Sequence, residues 1–423
     1  MRYRSLPSHV SGTVRAPPSK SYTHRALVLG ALSGGTCTIQ RPLRSEDTDA
    51  TLAGIASFGA SIEREGDDLR ISGGRLQAPG KTVDARNSGT TLRLLSGVAS
   101  LLDGTTTLTG DSSLRKRPMG PLLDSLNSLG ARTSSLGGDG RPPVEVRGVL
   151  RGGIATLPGD VSSQFLSSLL LACPLAANPS EIRVLPPLRS EPYVGMTREA
   201  MARFGVELTA EDGVFRIAGT QQYVPTDLEV PGDFSSAAFP LVAAAIARGD
   251  VTVSGLDLSS AQGDRAIVEL LRSFGASVDV EADRVRARGG DLAGQTVDVA
   301  ETPDLFPVLA VLASQADGES RFVNGSHLRH KESDRIATTV SMLRALGVAA
   351  QATEDGCVVR GPNRLRGAFV DAQGDHRILM AAAVAGLVAD DAVDISDPWC
   401  FRASYPSFLD DFRALGALHA VVG

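Results

Sequence analysis

The chain has 423 residues, more than one ordinary hydrophobic core accommodates, so two domains are expected, with length alone also allowing three. Its 42% hydrophobic and 21% charged content are those of a soluble globular protein, and a net charge of −6 gives no reason to expect nucleic acid as a partner. The four cysteines form no CxxC pair, no apolar run is long enough to span a bilayer, and the first residues lack a signal peptide's apolar stretch; a cytoplasmic protein is expected.

In chain order, the first helix signal is "APPSKSYTHRALVLG" (16–30), where a Pro pair leads into Lys20, Ser21 and Arg25. Lys20 stands out because the chain has only three other lysines, Lys81, Lys116 and Lys331. Next, "GGRLQAPGKTVD" looks like a Walker A loop, but five residues separate Gly74 from Gly80 where four are required, and no helix pattern follows. "NSGTTLRLLSGVASLL" sets Asn87, Ser88 and Gly89 ahead of an apolar run, and "DSSLRKRPMG" carries Arg115, Lys116 and Arg117. "VSSQFLSSLLLACPLAA" opens on Ser162, Ser163 and Gln164, and "RSEPYVGMT" holds Ser190 and Tyr193. After a Pro-containing connection, "QQYVPTDLEVPGD", come Asp233 and Ser235 of "GDFSSAAFPLVAAAIA" and Asp304 of "TPDLFPVLAVLASQ". "LRHKESDRIA" alternates Arg329, Lys331 and Arg335 with Glu332 and Asp334, and "GDHRILMAAAVAGLV" begins with Asp375, His376 and Arg377.

Two patterns recur together along this route. In the first, an amphipathic helix ends in an aromatic residue or Leu and then Gly, as in "IASFGASI" and "LRSFGASV". The six glycines are Gly59, Gly130, Gly205, Gly275, Gly347 and Gly416, spaced 69 to 75 residues apart. Gly there predicts a left-handed helix C-cap, and the alternating segments that follow, such as "SVDVEADRVRARGG", predict two strands joined by a turn. In the second pattern, a helix apolar on most faces follows Ser, Asp or Thr-Pro capping signals, and such helices should be buried. The expectation is therefore an α/β fold of six repeats of about 70 residues, three in each of two domains.

The polar residues gather at the starts of the buried helices, where unpaired N–H groups and a partial positive charge attract anions. Capping alone accounts for the Ser and Asp residues but not for Lys20, Arg25 or Arg377. If the helices of each domain run parallel, their starts form a face suited to phosphate and carboxylate, and two such faces would enclose a cleft. The expected chemistry is acid–base work on anionic small molecules without a cofactor. His327 and His330 have no third ligand nearby, so no metal site is expected.

"PPSKSYTHRAL", "RNSGTTLRLL", "RKRPMG", "VSSQFLSSLL", "RSEPYVGMT", "HKESDRI", "GDHRILMA" and "SYPSFLDDF" occur in this order along nearly the whole chain. Together they resemble the 5-enolpyruvylshikimate-3-phosphate synthase family of enolpyruvyl transferases. The resemblance implies two inside-out α/β domains of three units each: a discontinuous domain of residues 1–13 plus 227–423 and an inserted domain of 14–226. Hinge crossings are expected near 14–19 and 223–230. It also implies transfer of the enolpyruvyl group of phosphoenolpyruvate to the 5-hydroxyl of shikimate 3-phosphate, by a monomer. Lys20, Ser21, Arg25, Ser162, Ser163, Gln164, Ser190, Tyr193, Asp304 and Lys331 would hold shikimate 3-phosphate. Lys20, Asn87, Gly89, Arg117, Gln164, Arg335 and Arg377 would hold phosphoenolpyruvate. Asp304, Glu332 and Lys20 would be catalytic, Asp304 taking the hydroxyl proton and Glu332 serving C3.

Departures from the family pattern are few. A lysine shortly before the C-terminal aromatic-Pro pair is replaced by Ala403, with Arg402 one residue earlier, so either Arg402 turns inward or that cation is missing. His327 stands where some members have Asn, and Gly89 is the small residue associated with glyphosate sensitivity. The sister family acting on UDP-N-acetylglucosamine generally carries Cys or Asp in the loop matching 111–117 and Lys-Asn where this chain has Lys20-Ser21; "DSSLRKR" lacks the cysteine, and Asp111 is not at the expected offset.

Overall fold

A computed structural model describes residues 1–423, which divide into two compact units, 18–230 and 1–17 together with 231–423. The first contains helices α1 (Lys20–Leu32), α2 (Glu46–Ser57), α3 (Gly89–Ala99), α4 (Gly120–Ser128), α5 (Ser163–Ala172) and α6 (Glu191–Arg203). The second contains α7 (Phe234–Ile246), α8 (Ile267–Phe274), α9 (Phe306–Ser314), α10 (Arg335–Ala345), α11 (His376–Gly386) and α12 (Phe408–Ala414). No helix is long and apolar enough to cross a membrane.

The odd-numbered helices are the apolar ones and form the interior. All residues of α7, α9 and α11 are buried, because Ala, Val, Leu and Ile on every face leave no side fit for water. These three pack on one another, and α3 packs on α1 and α5. A Cβ on Gly97 would lie 2.6 Å from Ser168 Oγ and 2.7 Å from the Ser168 carbonyl, so glycine lets α3 and α5 approach closely. The even-numbered helices end as expected: Gly59, Gly130, Gly205, Gly275, Gly347 and Gly416 all have φ between +78° and +103°.

Each repeat contributes to a four-stranded sheet, and all six sheets share one pattern, a parallel pair followed by two antiparallel pairings. The hairpin expected in "SVDVEADRVRARGG" is present as Ser277–Glu281 against Arg284–Arg288. Three sheets are completed by strands distant in sequence. Leu228–Glu229 joins Thr36–Gln40, Ser11–Arg15 joins Asp250–Ser254, and Arg2–Leu6 lies between Val393–Ile395 and Leu418–Val422.

Five of the six buried helices are capped by the residues whose side chains the sequence singled out or by their neighbours: Ser19, Ser88, Ser162, Asp233 and Asp375 each accept a backbone N–H. The Thr-Pro signal before α9 is the exception. Leu305 is the N-cap, with no side-chain bond, and Asp304 is drawn away by two arginines.

Candidate active site

In the unit 18–230, cations stand at or near the helix starts. Lys20, the first residue of α1, donates to Asp47 Oδ2 at 2.9 Å, from a side chain only 14% exposed. Arg25, one turn on, is almost wholly buried. Its Nε donates to Thr197 Oγ1 at 2.8 Å, Nη1 to the Ser21 carbonyl at 2.8 Å, and Nη2 to the Tyr193 carbonyl at 2.7 Å and Ser167 Oγ at 3.4 Å. Burial, foremost, pulls its pKa down to about 10, still well above neutrality. Of five N–H donors, three tie α1 to α5 and α6 and one bonds the Ser21 carbonyl within α1, which leaves one for a ligand.

A second group surrounds the start of α3. Arg117 Nη2 donates to Asn87 Oδ1 at 2.5 Å, and Asn87 Nδ2 donates to Asp111 Oδ2 at 2.7 Å. A Cβ on Gly89 would sit 3.1 Å from both Arg117 Nη1 and Arg93 Nη1, so glycine keeps the space beside two guanidiniums open. Arg93 Nη1 donates to Gln164 Oε1 at 2.6 Å, and its guanidinium lies 5.1 Å from the Phe165 ring centroid. Gln164 Nε2 donates to Thr90 Oγ1 at 2.8 Å, so both ends of the amide are held. Ser162 and Ser163 open α5, and Ser190 precedes α6 in a left-handed conformation, φ 57°. Of the three cations in "DSSLRKRPMG" only Arg117 is buried; Arg115 bonds the Gly110 carbonyl and Lys116 is exposed.

The other unit gathers opposite charges around one buried arginine. Arg335, fully buried at the start of α10, donates to Asp375 Oδ2 at 3.0 Å, Asp304 Oδ1 at 2.8 Å and Glu332 Oε2 at 2.5 Å. Arg377, in the first turn of α11, donates from Nη2 to Asp304 Oδ2 at 2.9 Å and to Ser235 Oγ at 2.8 Å. Asp304 therefore bridges two guanidiniums. Burial pushes its pKa up, but Arg377, Arg335 and Lys331 outweigh burial and hold the carboxyl well below the usual carboxylate range. Burial likewise disfavours the Arg335 cation, yet Asp375, Glu332 and Asp304 raise its pKa above the ordinary value. Lys331 and Glu332 occupy the two residues after a 3₁₀ turn at Ser326–His330 that also contains the buried His327. Arg329 is occupied elsewhere, on Asp334 and the carbonyls of Thr353 and Glu354.

The sequence profile described as "EPSP synthase (3-phosphoshikimate 1-carboxyvinyltransferase)" matches residues 5–412. The chain belongs to the EPSP synthase family. It is 48% identical, over 97% of each chain, to 3-phosphoshikimate 1-carboxyvinyltransferases of Methanocorpusculum labreanum and Methanothrix thermoacetophila. It also superposes on the solved EPSP synthase of Acinetobacter baumannii with TM-score 0.83 at 30% identity, each chain fully covered.

Against this EPSP synthase family background, the C-terminal departure is resolved by geometry. Arg402 is exposed and its guanidinium lies 4.2 Å from the Trp399 ring centroid, so it does not turn inward in place of the missing lysine. Two residues bonded directly to side chains of the expected site escaped the sequence reading, Asp47 on Lys20 and Arg93 on Gln164, and Asp375, read there only as a helix-start residue, also holds Arg335. For Arg93 a signal existed. An arginine inside "TTLRLLSGVA", otherwise apolar or small, must be buried with a purpose.

Proposed function

We infer that this chain transfers the enolpyruvyl group of phosphoenolpyruvate to the 5-hydroxyl of shikimate 3-phosphate, releasing phosphate, within the shikimate pathway that leads to aromatic amino acids. The observation that carries the reaction chemistry is Asp304, a partly buried carboxylate kept ionised between Arg335 and Arg377. A carboxylate in that state accepts a hydroxyl proton, while cations beside it stabilise the negative charge of phosphate and carboxylate groups.

In the first step the 5-hydroxyl oxygen bonds to C2 of phosphoenolpyruvate, its proton passes to Asp304, and Glu332 supplies a proton to C3, giving a tetrahedral ketal. In the second, Glu332 takes a proton back from the new methyl group, the C2–O bond to phosphate breaks with the proton held by Asp304 passing to the departing phosphate, and the enol ether and phosphate result. Arg335 and Arg377 would hold the phosphoenolpyruvate anion, together with Lys20, Gly89, Arg117 and Gln164 and with Asn87 shaping the turn. Their present bonds make a consequence plain. As an incoming anion draws on the two arginines, Asp304 loses part of the field that makes it a poor base, so substrate itself raises its basicity. Lys331, Ser162, Ser163 and Ser190 would take the phosphate of shikimate 3-phosphate, Ser21 and Arg25 its other polar groups, with Gln164 and Tyr193 lining the ring. With Ala403 in place of a lysine, phosphoenolpyruvate would be held by fewer cations than in members that have it.

The enzyme acts in this reading as a cytoplasmic monomer without a cofactor, with hinge crossings near 14–19 and 223–230. The test is phosphate release from phosphoenolpyruvate with shikimate 3-phosphate or with UDP-N-acetylglucosamine as acceptor. Release with the first alone is expected; folded protein inert with shikimate 3-phosphate overturns the reading.

A further inference from the structure

Beneath the helix starts of the unit 18–230 runs a buried chain of hydroxyls that the proposed chemistry does not use. His24 Nδ1 lies 2.7 Å from Thr51 Oγ1, Thr51 Oγ1 lies 2.6 Å from Thr91 Oγ1, and Thr91 Oγ1 donates to Ser88 Oγ at 2.7 Å. Thr91 Oγ1 also lies 3.2 Å from the Asp47 carbonyl, and all four side chains are buried. The chain has a direction. His24 is fully buried, and burial first, then Lys20 and Arg25, depress its pKa well below the ordinary value, so it is neutral. Its Nε2 has no partner. An unpaired buried donor costs more than an unpaired acceptor on an aromatic ring, so the proton belongs on Nδ1. His24 then donates to Thr51, Thr51 to Thr91, and Thr91 to the Ser88 oxygen at 2.7 Å, its single proton shared with the Asp47 carbonyl at 3.2 Å in a three-centre bond.

The two acceptors of Thr91 are what give this chain a consequence. Asp47 holds the ammonium of Lys20 through its carboxylate. Ser88 caps α3 and stands between Asn87, which holds Arg117, and Gly89. One hydroxyl thus ties together the residues behind Lys20 and the residues behind the Asn87–Gly89–Arg117 turn. We propose that Thr91 is a positioning residue whose buried hydroxyl sets the spacing of Lys20 from the Asn87–Gly89–Arg117 turn and thereby the affinity for phosphoenolpyruvate. The inference rests on the assignment of these residues to the phosphoenolpyruvate side of the reaction. Thr91 itself touches no substrate.

The test compares Thr91→Val, which replaces the hydroxyl by a methyl of similar size, with Thr91→Ser, which keeps the hydroxyl. Steady-state phosphate release is measured over both substrates, alongside the thermal midpoint. For Thr91→Val the expected result is a rise of about tenfold in KM for phosphoenolpyruvate (about 1.4 kcal/mol), with KM for shikimate 3-phosphate within about twofold. Thr91→Ser should restore the wild-type value to within about twofold, and Thr51→Val, which removes only the upstream donor, should raise KM for phosphoenolpyruvate about threefold. These last two variants carry the test if Thr91→Val does not fold. An unchanged KM for phosphoenolpyruvate, an equal rise in both KM values, or a serine variant as impaired as the valine overturns the proposal. Wild-type turnover in the same assay tests the activity independently, so failure of the functional reading is seen before any variant is compared.

Discussion

Replacing Asp304 by Asn isolates the proton acceptor from the scaffold that holds it. The native carboxylate accepts one charge-assisted bond from Arg335 at 2.8 Å and one from Arg377 at 2.9 Å. Asn keeps one acceptor oxygen, so about one of the two bonds is lost, worth about 1.5–3 kcal/mol for a charged partner. Arg335 still has Asp375 and Glu332, and Arg377 still has Ser235, so the cluster retains its frame. For a unit of about 200 residues that loss lowers the thermal midpoint by about 4–10 °C and leaves the protein folded at assay temperature. Removing the base costs about 10²–10⁴ in kcat. Because Asn competes less for the two arginines, KM for phosphoenolpyruvate should not rise. Phosphate release under saturating substrates gives kcat, and calorimetry gives the midpoint. A folded Asp304→Asn protein with kcat within about fivefold of wild type would falsify the role of Asp304 as base.

Three further outcomes are expected. Lys20→Ala should lower turnover by more than about 100-fold while Lys81→Ala changes it less than about twofold, measured by the same phosphate assay; equal losses would mean the wrong lysine has been singled out. Gly97→Ala places a Cβ 2.7 Å from the Ser168 carbonyl and should destabilise the unit 18–230 by about 1–3 kcal/mol in urea titration, an unchanged midpoint counting against close α3–α5 packing. His419 is buried between Tyr3 and Ser5, and burial first, with Arg413, lowers its pKa from 6.5 to about 3. Its unfolded form therefore binds the proton more readily, so its contribution to stability is complete above pH 6.5 and declines as pH falls toward 3. Urea midpoints from pH 7 to 4 should fall for wild type and fall less for His419→Gln; parallel curves would contradict this.

Much of the architecture is written in local pattern. Glycines about 70 residues apart mark six helix ends, and runs such as "FSSAAFPLVAAAI" mark the helices with no solvent face, because both properties depend on neighbours in sequence. What local pattern cannot supply is partner choice across long separations. Nothing near Ser11–Arg15 indicates that it pairs with Asp250–Ser254. The charged loops show the same division: Arg115, Lys116 and Arg117 are adjacent, yet only Arg117 is buried against Asn87. Asp304 reads locally as part of a helix start, but two guanidiniums 31 and 73 positions away outcompete the backbone for its oxygens. Asp47 and Arg93 went unrecognised for that reason, since their significance lies in Lys20 and Gln164, 27 and 71 positions distant.

The strand exchange between distant parts of the sequence has a bearing on the order of events during synthesis. Residues 18–230 form a continuous segment whose three sheets are all closed once Glu229 has been made. That half can acquire its packing on the ribosome, because domains fold as units in the order in which they emerge. The other half begins with Arg2–Leu6, whose neighbours Val393–Ile395 and Leu418–Val422 are translated only after the whole of residues 18–230 and most of the second unit. The opening strand must therefore stay unpaired for almost the whole of synthesis, a long-range closure that makes this unit the slow and aggregation-exposed one. A ribosome-stalling series should find residues 18–230 protease-resistant before about residue 300 is exposed, while the first strand remains open until Leu418–Val422 has emerged.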